Sequence, residues 1–140
     1  HRLTMEPIQI KVRSYELDGY NHVNNAVYLH YLEYARIEWL RSIGFDYAAL
    51  VAEGYMLYVT RIDIRYTYSA RLDDVLSVEV KPKKLGKVSG TFHQVIKNQD
   101  DKICAEADVT WCCVDKTGTP VKIPEKYRLP AMIPAAAEKQ

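Results

Sequence analysis

The chain has too few cysteines to be stapled by disulfides and no apolar run long enough to cross a bilayer. Its three cysteines, Cys104, Cys112 and Cys113, are odd in number, two are adjacent, and none forms a Cys-x-x-Cys pair. Neither a disulfide framework nor a metal knuckle is therefore expected, and a reducing cytoplasm is the simplest setting. No uninterrupted apolar stretch approaches about 18 residues, and the N-terminus lacks the charged start and apolar core of a secretory leader, so neither a membrane partner nor export is expected. Charge of neither sign prevails. Lys and Arg number 19 against 18 Asp and Glu, a formal charge of +1, which leaves no global electrostatic argument for nucleic acid or an anionic membrane. A Gly-x-Ser-x-Gly elbow, a glycine-rich phosphate loop and a His-Glu-x-x-His helix are all missing, which removes the signatures of the serine hydrolases, the nucleotide-phosphate binders and the zincins. No metal, redox group or other cofactor is implied.

What is present is apolar content arranged in two rhythms. The 140 residues are 48% apolar, the size and content of one ordinary domain. One domain over 1–140 is expected, with its core over about 6–130 and a flexible tail over 131–140. From 8 to 15, Ile8, Ile10 and Val12 alternate with Gln9, Lys11 and Arg13, the period of a half-buried strand. From Asn25 the period changes, and Tyr28, Tyr31, Leu32, Ala35 and Trp39 fall on one helical stripe. Val27, Tyr34 and Leu40 widen it, while His30, Glu33 and Arg41 mark the other side. Asn24 is the expected N-cap and Gly44 the C-cap of a helix of about five turns.

After a connection from Phe45 to Gly54, alternation returns. Ile62, Ile64, Tyr66 and Tyr68 form one face, Leu76, Val78 and Val80 another, and Ile103, Ala105, Ala107, Val109, Trp111 and Cys113 a third. Turns are expected around Gly86 and over 98–102, and the proline-bearing tail from Thr117 reads as coil. One long helix cannot form a layer of its own, so the expected architecture is α+β, an antiparallel sheet of about five strands wrapped around a central helix. Its open edges suggest pairing of subunits.

The chemistry concentrates in DGYNHVNNAVY, residues 18–28. Asp18 stands seven residues ahead of Asn25, where the helix starts and free backbone N–H groups meet the positive end of the dipole. A thioester or ester carbonyl placed there would be polarised, and the carboxylate could attack it or deprotonate a water. The same residues also suit a simpler role, since Asp and Asn shape turns and cap helices. Residue chemistry alone leaves both readings open.

Arg13, Asp18, His22, Val23, Asn24, Asn25 and Tyr28, in the pattern R-x-x-x-x-D-x-x-x-H-V-N-N-x-x-Y, resemble the signature of the 4-hydroxybenzoyl-CoA thioesterase family. The likeness continues through Tyr66, Ser69 and Leu76 to Trp111 and covers roughly residues 6–130. Among members it is similar to bacterial acyl-CoA thioesterases and plant acyl-lipid thioesterases. The resemblance implies a hot-dog fold and hydrolysis of an acyl-CoA thioester, with acyl carrier protein as the alternative carrier. It implies Asp18 as the catalytic carboxylate, the Asn25 N–H as the oxyanion donor, His22 and Asn24 as lining residues, and Tyr28 and Tyr31 beside the acyl chain. It further implies a homodimer or homotetramer with sites shared between subunits. Where many members have Gly three residues after the acid, this chain has Asn21, which tolerates positive φ. Where they have Pro and Gly in the later connection, it has Ser69 and Asp73, which bears on loop shape and acyl-length preference.

Lys81, Lys83, Lys84 and Lys87 surround a turn, and Lys83, Lys84 and Lys87 are candidates for the phosphates of coenzyme A or the acidic face of a carrier protein. A solvated hairpin tip is the plain alternative. His30 and His93 show no partner pattern and read as surface or strand residues. A hot-dog dehydratase is disfavoured by the missing FPGxP-type segment; a non-catalytic acyl-CoA-binding protein of the same fold is the alternative from another class.

Overall fold

Residues 6–135 are described by a computed structural model, in which the alternating segments form five strands and the stripe forms a helix. In chain order these are β1 (Ile8–Lys11), α1 (Val27–Ser42), α2 (Tyr47–Ala52), β2 (Met56–Tyr66), β3 (Val75–Leu85), β4 (Ser89–Lys97) and β5 (Ile103–Val114). The strands make one antiparallel sheet in the order β1-β3-β4-β5-β2. β4 shows why: from Gly90 to Ile96 every second residue is buried, the period that puts one face on a core. α1 lays Tyr28, Tyr31, Leu32, Ala35 and Trp39 on the sheet, all of them buried, and leaves His30, Glu33 and Arg41 outside. Its main contacts are with β1 and β3.

The buried residues fall into two groups along α1. Tyr28 to Ala35 pack with Leu76, Val78, Ile96, Ala105 and Val109, near the end of the sheet where β1 stops. Trp39 and Leu40 pack with Phe45, Leu50, Phe92, Trp111 and Tyr127, near the β3–β4 hairpin. The expected architecture is therefore present, with the helix covered over its whole length.

Several expectations are corrected. β1 ends at Lys11 rather than 15, because Arg13 and Glu16 close a 3-10 turn over Ser14–Glu16 through the Arg13 N–H bond to Glu16 Oε1 at 2.8 Å. α1 starts at Val27 rather than Asn25. The connection after it contains α2, begun by Asp46, whose Oδ1 accepts from the Ala49 N–H at 3.0 Å; six residues are too short to show a period. β2 begins at Met56, six residues ahead of Ile62, and ends at Tyr66, so Tyr68 lies beyond it; Tyr66 is half exposed because β2 is a sheet edge. Ile103 is 40% exposed while Cys104 is 1% exposed, so the inward set of β5 shifts at its start, beside a register shift between Ile96 and Lys97. Met132 is buried in a 3-10 turn over Pro130–Met132, so packing runs past the expected limit of 130; residues 136–140 of the expected tail lie outside the described residues.

Gly90 is a packing requirement that no turn pattern announced. A Cβ there would lie 2.5 Å from Trp111 Cζ2, 2.8 Å from Cε2 and 3.0 Å from the Lys84 carbonyl oxygen. Trp111 is 4% exposed and cannot swing aside. Gly90→Ala is expected to destabilise the fold by about 1–3 kcal/mol, although alanine is the better strand former, because overpacking displaces a fixed indole. Denaturant unfolding checks this; an unchanged midpoint contradicts it.

Candidate active site

The loop after β1 is closed on itself before the helix starts. Leu17 and Val23 form an antiparallel bridge, and the Asp18 N–H donates to the His22 carbonyl at 2.7 Å. Asn21 sits at φ 65°, the left-handed conformation that its resemblance to a glycine position required. Asp73, in the connection facing this loop, has φ 68° for the same reason.

Inside the loop, Asp18 Oδ1 accepts from the N–H groups of Tyr20 at 2.8 Å and His22 at 3.1 Å. Those two backbone bonds hold the carboxyl below the usual aspartate range, so it is ionised at neutral pH. No hydrogen bond among the described residues engages Oδ2. The turn-shaping and chemical readings of Asp18 thus fall on different oxygens. One oxygen fixes the loop, and the other is left free of hydrogen bonds among the described residues.

Asn24 organises the helix entry. Its Oδ1 accepts the Ala26 N–H at 2.8 Å and its carbonyl the Val27 N–H at 2.9 Å, so it satisfies the opening donors although α1 begins three residues on. Asn25 comes between them. Its carbonyl accepts the Tyr66 hydroxyl at 2.8 Å, while its own N–H has no acceptor among the described residues. Tyr28, buried, accepts the Ala70 N–H at 3.1 Å through its hydroxyl, and its ring packs edge-on against Tyr66 at 5.2 Å. Asp18, His22, Asn24, Asn25 and Tyr28 are therefore brought together at one end of the sheet.

Tyr31 lies behind Tyr28, its ring edge-on to it at 6.1 Å. It is 2% exposed and its hydroxyl donates to Glu16 Oε1 at 2.8 Å, a full turn deeper than Tyr28. Glu16 in turn receives the Arg13 side chain at 2.7 and 3.1 Å. Burial pushes the Glu16 carboxyl up, but the Arg13 side chain, the Arg13 backbone N–H and Tyr31 outweigh it, and the net value lies below normal. Burial and Glu16 together push the Tyr31 phenol far above its ordinary range.

The lysines lie elsewhere. The Asp18 loop adjoins the start of β3, where the Val12 N–H meets the Asp74 carbonyl at 2.9 Å. Lys84 and Lys87 flank the hairpin at the other end of β3, roughly 30 Å of strand away. Lys83 is engaged on the outer sheet face, its Nζ 2.6 Å from Asp108 Oδ2. His93, expected to be an unpartnered strand residue, lies between Asp108 at 2.7 Å and Glu106 at 3.0 Å. Strand register creates that cluster, and a linear sequence does not display register. Arg13 and Tyr66 stood in the motif, but the bonds from Tyr66 to Asn25 and from Tyr31 to Glu16 were not legible, because they join residues that only tertiary folding brings together. Among the described residues, no group of three or more His, Cys, Asp or Glu side chains could hold a metal ion.

The Glu16 network should make stability pH-dependent. A carboxyl whose folded-state value is depressed contributes fully above its unfolded value, about 4.3, and loses that contribution as pH falls. Glu16→Gln is expected to cost roughly 1.5–3 kcal/mol at pH 7, the scale of hydrogen bonds to a charged group. The gap to the unchanged protein should narrow below about pH 4, since protonation removes the same charge. Urea unfolding at a series of pH values measures this, and a constant gap down to pH 3 contradicts it.

With this geometry in place, comparison with known proteins is informative. Residues 12–133 match the family model described as the thioesterase-like superfamily. The long-chain acyl-CoA thioesterase FadM of Escherichia coli is 38% identical over 108 residues, which cover 76% of this chain and 81% of FadM. The chloroplastic acyl-acyl carrier protein thioesterase ATL3 of Arabidopsis thaliana is 31% identical over 130 residues, 86% of this chain but only 64% of ATL3. The crystal structure of YbaW from Escherichia coli superposes with a TM-score of 0.78 at 35% identity, covering 89% of this chain and 94% of that one. A DHNA-CoA thioesterase from Staphylococcus aureus, at 20% identity and a TM-score of 0.82 over 88% of this chain and 83% of its own, shares the fold. The five-stranded antiparallel sheet around one long helix is the hot-dog fold, and the chain belongs to the thioesterase-like superfamily.

Proposed function

We propose that the protein is an acyl-CoA thioester hydrolase, with Asp18 as its catalytic carboxylate and the Asn25 N–H as its oxyanion donor. One observation carries this reading: an ionised carboxylate held by two backbone N–H groups lies on the loop closed by Leu17 and Val23, and just past that closure, two residues before α1, the Asn25 N–H has no acceptor among the described residues. In the general-base form, Asp18 takes a proton from water as the hydroxide oxygen bonds to the acyl carbon. The carbonyl oxygen gains negative charge against the Asn25 N–H and the helix dipole. The tetrahedral species then collapses, the C–S bond breaks, and the thiolate leaves with the proton that Asp18 carried. In the nucleophilic form, an Asp18 oxygen bonds to the acyl carbon, the C–S bond breaks and the thiolate leaves; water then attacks the resulting mixed anhydride, releasing the acid, restoring the Asp18 carboxylate and supplying the proton that the thiolate takes up. His22 lines the site, and Tyr28 borders the acyl group. Neither form needs a cofactor.

The likeness to FadM supports coenzyme A as the carrier, and the likeness to ATL3 supports acyl carrier protein as the second reading. A non-catalytic acyl-CoA-binding role gains no support from the site, which keeps both its carboxylate and its donor. We further propose a homodimer or homotetramer. The lysine hairpin is too far from Asp18 to serve the site of its own chain, so Lys84 and Lys87 would reach carrier phosphates only from a second subunit. The half-exposed edge strand β2, with Tyr58 and Val59, suits such pairing. The three free thiols fit the cytoplasm as the setting.

Asp18→Asn tests the mechanism. Its side-chain oxygen can still accept from Tyr20 and His22, so the loop is retained while the charge is lost. In a released-thiol assay with long-chain acyl-CoA, kcat should fall at least about a hundredfold with thermal stability nearly kept. A folded variant with near-normal kcat ends the case for Asp18. Replacing Lys84 and Lys87 together by Ala should raise KM for acyl-CoA more at low than at high salt, with kcat little changed. An unchanged KM at low salt makes the hairpin a solvated tip.

A further inference from the structure

Arg36 is a partly buried cation with no carboxylate partner. Its Nη1 donates to Gln94 Oε1 at 3.1 Å, its only hydrogen bond among the described residues, and no carboxylate lies within 4.0 Å of it there. Gln94 is completely buried, its Nε2 donating to the Leu32 carbonyl at 3.0 Å. No buried side-chain nitrogen or oxygen among the described residues lacks a partner, so the guanidinium N–H groups that Gln94 does not take remain open to solvent. Arg36 lines a cavity of about 170 Å³ together with the Glu33 carboxylate and apolar walls that include Ile37, Leu40, Leu57, Phe92 and Trp111. Burial lowers the proton affinity of Arg36, with the field of Glu33 opposing. A desolvated cation is stabilised most by an anion brought to it.

The cavity continues outward. Glu33, Ile37, Leu40 and Tyr47 also line a wider cleft of about 700 Å³ between α1 and α2, with Phe45 and Gly44 on its far wall and Arg41 and Asp46 at its rim. The two together present one planar donor, Arg36, along a slot with mostly apolar walls, and the Glu33 carboxylate lines both parts of it. Guanidinium geometry matches a carboxylate in particular, and the walls match an alkyl chain.

We propose that this slot is a binding site for a carboxylate-headed apolar molecule, its head on Arg36 and its chain running out between α1 and α2. The site is separate from Asp18, since Arg36 stands eleven residues along the helix from Asn25, about 16 Å at helical rise. A free fatty acid, the kind of product that thioester hydrolysis releases, has this chemistry. The site is defined by binding alone and stands whether or not the chain hydrolyses thioesters.

Trp111 in the wall gives a direct reading. Intrinsic fluorescence of the full chain is titrated with decanoate, with decanol and with a decyl-trimethylammonium salt. Decanoate should saturate with a Kd at least about tenfold below that of decanol, the ammonium salt should not compete, and Arg36→Met should remove the preference. Equal affinity for decanoate and decanol, or a preference that survives Arg36→Met, overturns the proposal. Arg36→Met also breaks the bond to Gln94, so Ile37→Trp, on the partly buried wall shared by both cavities, serves as a second variant that leaves the Arg36–Gln94 pair intact. It should weaken decanoate binding at least tenfold with thermal stability nearly kept; unweakened binding in the folded Ile37→Trp protein overturns the site as well.

Discussion

The buried carboxylate of Glu16 is the contact on which the site end of the molecule depends. Its two oxygens gather the Arg13 backbone and guanidinium and the Tyr31 hydroxyl, and its own carbonyl accepts the Asn24 N–H. One residue thus ties the end of the first strand, the polar loop and the inner face of α1. A buried charge is tolerable only when its lone pairs are filled, and here they are filled by groups that must come from those three places. The position of Asp18 follows from that closure. Asp18 lies between Glu16 and Asn24, both fixed, and its remaining freedom is removed by its own bonds to Tyr20 and His22.

The consequence is a division of labour among short polar residues. Asn24 spends its oxygen on the helix entry, Asn21 supplies the left-handed turn, and Asn25 is left with an N–H that nothing among the described residues uses. Tyr66 holds the Asn25 carbonyl and so orients the peptide on its other side. The apparent excess of asparagine before the helix is the set of groups needed to build a tight loop while keeping one donor vacant. The family's thioester chemistry calls for a vacant donor beside an ionised carboxylate, which is why the geometry supports that reading.

Periodicity made much of this legible. The stripe from Tyr28 to Trp39 and the alternation of β3, β4 and β5 each report burial on one face, and burial on one face is what these elements share with a sheet wrapped around a helix. The motif from Arg13 to Tyr28 carried the family, because its residues are close in sequence and act within one loop. What escaped were features made by register and packing. His93 meets Asp108 and Glu106 only because β4 and β5 pair in that frame. Gly90 is required by an indole on the neighbouring strand. Tyr31 shares the helical stripe of Tyr28, yet a buried carboxylate claims its hydroxyl. The lysine turn was legible as a turn, while its distance from Asp18 needed the length and direction of β3.

The central claim is that Asp18 reacts as an anion prepared by backbone N–H groups, and the pH dependence of kcat/KM for acyl-CoA in the free enzyme tests it most directly. With folded fraction followed in parallel, the account predicts a rate that stays flat on acidification through the histidine range, about pH 6.5, and declines only as the carboxylate is protonated below the ordinary aspartate value. A decline with a midpoint near 6.5, abolished in His22→Asn and absent from the folding signal, would contradict it and move the essential base to His22.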